Sequence, residues 1–206
     1  MRGLSAPELD KVMNKARVTI PGKVESIWEP LYDFQTCAAA ATSSQSFFTT
    51  PIGGSKTRAD TNLTLAAQIS KDQLFVVTAI CLDFIPGVEV ASSTLDNEYI
   101  NDVLAFYRNG NINFVIGDKP YGRQGPLMKF PPSNRLAGFA ATGTGNASDE
   151  TISYAQAAGQ KYETRDMIIE GGQQFSFAIE NRLALPSTIA GRVGVTLEGW
   201  LFRPAQ

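Results

Sequence analysis

Residues 74–85 read LFVVTAICLDFI, a run rich in β-branched and aromatic residues that ends at Pro86-Gly87. Drawn as a strand, Leu74, Val76, Thr78, Ile80, Leu82 and Phe84 line one face, and Phe75, Val77, Ala79 and Cys81 line the other. Both faces are apolar, so the strand is expected to be buried on both sides, inside a sheet that is itself covered. Any fold for this chain has to supply that cover.

The rest of the sequence supplies further strands. ARVTIPG and ESIWEPLYDFQTC read as extended, with Pro21 and Pro30 marking edges or bends. SFFTTPIGG and DTNLTLAAQI add two short extended pieces, with AAAATSSQ (38–45) as a loop before them. NINFVIG (111–117) alternates cleanly, Leu127 to Phe130 is a short strand candidate, and DMIIEGGQQFSFAI returns to extended structure. Residues 137–161, mostly small and polar, read as a long exposed excursion. Near the C-terminus, Phe175, Phe177 and Ile179 form one inward face and Val193, Val195 and Leu197 another, joined by a connection from Leu183 to Ile189 around Pro186. Thr196, Glu198, Trp200 and Phe202 occupy the other face of the last strand, which the pattern places in a sheet interior.

Two helices interrupt this pattern. In SAPELDKVMNKA, Ser5 and Glu8 form a capping box with Pro7 in the first turn, and Leu9, Val12, Met13 and Ala16 share one face. In TLDNEYINDVLAFYRN, cap-type residues Thr94 and Asp96 precede Ile100, Val103, Leu104 and Tyr107 at helical spacing, and Asn109-Gly110 can close the helix with a left-handed residue. The same Asn-Gly also fits a hairpin turn, with Leu104 to Arg108 as a strand. About eight strands without an alternating ten-residue helix pattern argue against a parallel α/β sheet and for an all-β antiparallel sandwich or barrel. The expected organisation is an N-terminal helical arm (1–17) followed by a single domain (18–206).

Composition narrows function by exclusion. The chain contains no histidine, which removes imidazole bases, Ser-His and Cys-His pairs and histidine metal ligands. A net charge of −2 gives no reason to expect nucleic-acid binding. Charged residues are 18% of the chain, below the roughly 25% of soluble domains, which suggests that part of the surface is covered by something else, other copies of the chain being one candidate. No apolar run is long enough to span a bilayer as a helix, and no segment reads as a signal peptide. Cys37 and Cys81, 44 positions apart, read as buried free thiols ahead of a single disulfide.

The short motifs are weak. GGSKT (53–57) lacks the glycine directly before the lysine that a phosphate-binding loop needs, and reads as a turn. GTGNAS (143–148) lacks a strand-turn-helix context. Asp96, Glu98 and Asp102 form the densest acidic cluster and read as a solvated helix face. No catalytic residue, cofactor site or metal site is nominated.

The segment FFTTPIGGSKTRADTNLTLAAQISKDQLFVVTAICLDF and the closing VGVTLEGWLFRPAQ, with the amphipathic arm and the histidine-free β-rich body, resemble the jelly-roll coat proteins of bacterial and archaeal viruses. The resemblance implies a single jelly roll of about eight antiparallel strands in two four-stranded sheets, with no enzymatic activity. It implies a capsid subunit that assembles in the host cytoplasm into the virion shell, partnered by itself and by other capsid or vertex proteins. Leu9, Val12, Met13, Trp28, Trp200 and Phe202 are the oligomer-contact candidates. Two other readings stand beside this one: a receptor- or carbohydrate-binding sandwich of a spike or fibre, which needs a groove with coplanar aromatics, and a carboxylate-only glycosidase, which needs two acids facing across a cleft.

Overall fold

The computed structural model describes residues 16, 20–38, 45–85, 105–121, 126–130, 137–142, 150–155, 161–182 and 190–205. Its strands are β1 (Val24–Trp28), β2 (Leu31–Cys37), β3 (Gln45–Phe47), β4 (Leu74–Ile85), β5 (Gly110–Ile116), β6 (Lys119–Pro120), β7 (Ala137–Thr142), β8 (Glu150–Ala155), β9 (Tyr162–Glu170), β10 (Phe175–Asn181) and β11 (Gly191–Pro204). Every strand pairing is antiparallel. One sheet runs β1-β11-β4-β9, with β2 also on β11. The second runs β3-β10-β5-β6, and β7-β8 form a separate ribbon.

β1 and β2 lie end to end along the same edge of β11. Trp28 is opposite Trp200 and Leu31 opposite Leu197. Pro30 lacks the N–H that would continue the ladder, and the break at Glu29-Pro30 is bridged by the Glu29 N–H donating to the Gly199 carbonyl at 3.2 Å. β11 is therefore interior to its sheet, as its alternation predicts.

The two sheets share one hydrophobic cluster. Phe75, Val77, Ile80, Leu82 and Phe84 of β4 and Val193, Val195 and Leu197 of β11 meet Ile112, Phe114 and Ile116 of β5 and Phe175, Phe177 and Ile179 of β10. Phe47, Phe114 and Phe177 form a chain of tilted and edge-to-face ring contacts across the second sheet, with centroids 6.2 and 5.5 Å apart. The architecture is an all-β antiparallel sandwich.

β4 is buried on both faces, but its alternation changes phase. Against β11, Ala79 pairs with Glu198 and Val77 with Gly199, so Thr78 is an extra residue. The Thr78 hydroxyl donates to the Glu198 carbonyl at 3.0 Å, holding the bulge shut. A Cβ on Gly199 would stand 2.0 Å from the Val76 carbonyl oxygen, so the partner position accepts only glycine. Phe75 and Val77 therefore share the inner face with Ile80, Leu82 and Phe84. Leu74 and Val76 join a second cluster with Ile20 and Phe202, against which Ala16, Val24, Ile168 and Trp200 pack. The strict two-face division of the sequence pattern is corrected accordingly.

Other expectations are revised too. The DTNLTLAAQI segment forms no strand. It carries isolated bridges, Asp33 with Thr61 and Leu65 with Gln68, in a loop tied down by side chains. Leu127–Lys129 is a 3-10 turn, with Leu127 filling space beside Gly110, where a Cβ would lie 2.2 Å from Leu127 Cδ1. Gly110 opens β5 instead of capping a helix in the left-handed region, because it is this close packing that requires glycine. A helical turn at 105–109 precedes it, so the strand alternative for Leu104 to Arg108 is excluded over its described part. Within the expected excursion at 137–161, β7 and β8 pair in register from Ala137 with Ala155 to Thr142 with Glu150. The N-terminal helix with Leu9, Val12 and Met13, the first part of the second helix, most of the loop at 38–45 and the connection at 183–189 lie outside the described residues.

Candidate functional site

The outer face of the β1-β11-β4-β9 sheet carries a groove walled by two tryptophans. It has a volume of about 440 Å³ and is lined by Trp28, Thr78, Ala79, Lys161, Glu163, Thr164 and Trp200. The β4 bulge makes its floor: Ala79 is small, and Thr78 turns its hydroxyl back onto β11. The Thr164 hydroxyl donates to the Val77 carbonyl at 3.0 Å, which braces the β9 side of the same irregularity.

Trp28 and Trp200 are register partners on neighbouring strands, so their rings fall on one face. They meet edge to face with centroids 5.1 Å apart and an interplanar angle of 77°. Both are half-buried. Lys161 places its ammonium 5.6 Å from the centre of the Trp28 ring and pairs with the Glu198 carboxylate. Glu198 and Glu163 pair with Ala79 from opposite sides, so their Cα atoms are two strand spacings apart, about 10 Å. Lys161 neutralises the first, and Glu163 is exposed with no partner among the described residues.

This geometry bears on the sequence candidates unevenly. Trp28 and Trp200 are brought together. Phe202 is fully buried in the second cluster, packed with Ile20, Leu74 and Val76. Leu9, Val12 and Met13, and the acidic cluster Asp96, Glu98 and Asp102, lie outside the described residues. Lys161, Glu163 and Thr164 went unnoticed in the sequence: Lys161 ends a low-complexity stretch, and their convergence depends on a bulge that the alternation does not reveal.

Cys81, on the same outer face, is buried. Desolvation first, then the charges of Glu198 and Asp83, push its thiol up to about 11, against the smaller opposing effect of Lys161. It is a protonated, packed side chain at neutral pH and not a nucleophile. Cys37 is likewise buried, and the two thiols form no disulfide. Among the described residues no group of three or more Cys, Asp or Glu side chains is arranged to hold a metal ion.

A second, polar groove of about 400 Å³ lies at the other end of the sheet, lined by residues that include Phe34, Thr49, Ser55, Lys56, Asp60 and Arg192. Its charges cancel in pairs. Lys56 bonds Asp33 at 2.6 Å, and Arg192 bonds Asp60 at 2.7 Å while its guanidinium stacks 4.5 Å from the centre of the Phe34 ring. Phe34 can lie flat there because its register partner is Gly194, where a Cβ would come within 2.1 Å of the ring. The GGSKT segment is a turn whose lysine serves Asp33, consistent with the structural reading of that motif.

Comparison with protein-family models, curated proteins and solved structures finds no match.

Proposed function

We propose that this chain is a single jelly-roll coat subunit that acts by assembling with copies of itself. The strand order carries the reading. With β1 and β2 counted as one strand and the β7-β8 ribbon as an insertion, eight strands remain. The first pairs with the eighth, the second with the seventh, the third with the sixth and the fourth with the fifth. This order supports the jelly-roll reading, since a long hairpin rolled into two facing sheets, as in viral capsid and lectin domains, would pair its strands in the same sequence. The sheets that result are β1/β2-β11-β4-β9 and β3-β10-β5-β6.

The jelly roll also occurs in lectins, so a receptor- or carbohydrate-binding module is the second reading, favoured by the groove with two tryptophans. Sugar stacking calls for accessible, coplanar ring faces, whereas these rings stand at 77° and Lys161 lies over Trp28. The balance therefore favours assembly. A glycosidase is the weakest reading, since the Glu198 carboxylate is held in an ion pair with Lys161.

Multi-angle light scattering and negative-stain microscopy of the full chain test the proposal. Rings, sheets or closed shells growing with concentration are expected. A monomer at every concentration, together with a hit on a glycan array, would replace the coat reading by the binding one.

A further inference from the structure

We propose that the groove between Trp28 and Trp200 binds a small alkylammonium cation. The proposal is independent of the assembly reading, which a failed titration would leave untouched.

The aromatic walls favour such a ligand by their angle. Trp28 and Trp200 are half-buried and stand at 77° with centroids 5.1 Å apart, so they form a corner instead of a platform. A flat sugar ring cannot lie on both faces of a corner, whereas a compact cation seated in it meets the electron-rich face of each ring. The protein already makes one contact of this kind. The Lys161 ammonium stands 5.6 Å from the centre of the Trp28 ring, while no cation lies over Trp200 among the described residues.

The charges point the same way. Ala79 has Glu163 of β9 and Glu198 of β11 as its register partners on either side. Lys161 is spent on Glu198, and Glu163 has no partner among the described residues. Two carboxylates therefore face one ammonium across the groove, and a singly charged cation restores the balance. An anion would meet Glu163 uncompensated.

The hydrogen-bonding groups agree with the charges. Thr78 gives its hydroxyl hydrogen to the Glu198 carbonyl and Thr164 gives its own to the Val77 carbonyl, each at 3.0 Å. Towards a ligand both hydroxyl oxygens can only accept. A bare ammonium would need several such acceptors to replace its water, but an alkylated one presents polarised C–H groups that ring faces satisfy. With Ala79 adding little bulk, the volume of about 440 Å³ leaves room for the cation and its chain.

The chain contains only two tryptophans, both in the groove, so intrinsic fluorescence reports on this site alone. Choline chloride is titrated into the full chain at constant ionic strength, beside sodium chloride and the uncharged tert-butyl analogue of choline. A saturable emission change with millimolar choline is expected, with none from the salt or the analogue. Glu163→Gln should weaken binding by about threefold, the scale of one exposed charge pair. Lys161→Met should strengthen it by about the same factor, because it vacates both the Trp28 face and the Glu198 carboxylate. Damage to the groove would act in the opposite direction, and melting midpoints near that of the unaltered protein are expected for both variants, since both residues are exposed. Sedimentation with phosphatidylcholine vesicles identifies a lipid headgroup as the source of the cation, and its absence a soluble one. No saturable change with choline, or an equal response to the uncharged analogue, overturns the proposal. So does a choline affinity that Glu163→Gln and Lys161→Met both leave unchanged.

Discussion

Asp33 Oδ1 accepts from Lys56 Nζ at 2.6 Å, and its other oxygen accepts from the Phe48 N–H at 2.6 Å, with the aspartate side chain wholly out of water. The pair joins β2 to the long loop between β3 and β4, where Thr61 also bridges to Asp33. Removing one partner of a buried pair leaves an uncompensated charge, a loss of about 3–5 kcal/mol. Lys56→Ala is expected to lower the unfolding free energy read from urea titration by an amount in that range. A change below about 1 kcal/mol would show that Asp33 is adequately served by backbone donors alone.

Gly199 faces the β4 bulge with no room for a side chain. Gly199→Ala is expected to destabilise by about 2–4 kcal/mol, since backbone and the Phe75 ring both have to give way. Gly53→Ala probes glycine in a different setting: nothing lies within 4 Å of its Cβ site, and only its φ of +92° resists the change. Its loss should be near 1 kcal/mol. Thermal melts of the two variants test the ordering.

Ala67 adopts a φ of +55° in the loop, with its N–H bonded to Phe48 O at 2.7 Å and its carbonyl to the Phe175 N–H at 2.8 Å. Those two hydrogen bonds hold the backbone there against the steric preference of an L-residue. Ala67→Gly relieves the strain at some entropic cost to folding, and a net gain of about 0.5–1 kcal/mol is expected. A lower melting midpoint for the variant would contradict this.

Asp60 is held below the usual aspartate value, first by the Thr57 N–H and then by the Thr57 hydroxyl, with Arg192 adding to both. A folded value below the unfolded one means the contribution is present above the unfolded value and is lost as pH falls through the folded one. Loosening of the 57–60 turn is therefore confined to pH below the ordinary aspartate range. Carbon-detected NMR titration of Asp60 should show a midpoint below that of Asp60 in Thr57→Ala, which removes the hydroxyl and keeps the backbone N–H; equal midpoints would leave the N–H and Arg192 as the causes and remove the hydroxyl.

Cys37 and Cys81 are buried and form no disulfide, with the Cys81 thiol raised to about 11. Both are expected to react with Ellman's reagent only on unfolding, so the labelling rate at neutral pH should follow the global opening rate. Fast labelling of either one in the native protein would show an opening local to its strand.

Much of the sandwich was legible from periodicity. β10 and the inner face of β11 follow strict alternation because each lies on a single two-sided layer, and Phe175, Phe177, Ile179, Val193, Val195 and Leu197 fell where expected. β4 was recognisable as a strand but not in phase, because one inserted residue, Thr78, exchanges the faces. The loop between β3 and β4 misled for another reason: its apolar residues pack through left-handed turns at Phe48 and Ala67 without a ladder. The Trp28–Trp200 pairing required knowing that β1 lies along β11, a contact between positions far apart that no local pattern encodes.

The place of β11 has a kinetic consequence. It is the strand against which β1, β2 and β4 all pair, and it comes after every one of them in the chain. During synthesis β4, apolar on both faces, must wait without its central neighbour until β11 has left the ribosome. Pairing can start from the inner β5–β6 turn and close outward through β9 on β4, but the first sheet is completed only when β11 joins β4 to β1 and β2. Slow folding, and a nascent chain that needs shielding from aggregation in the interval, follow from the order of the strands alone.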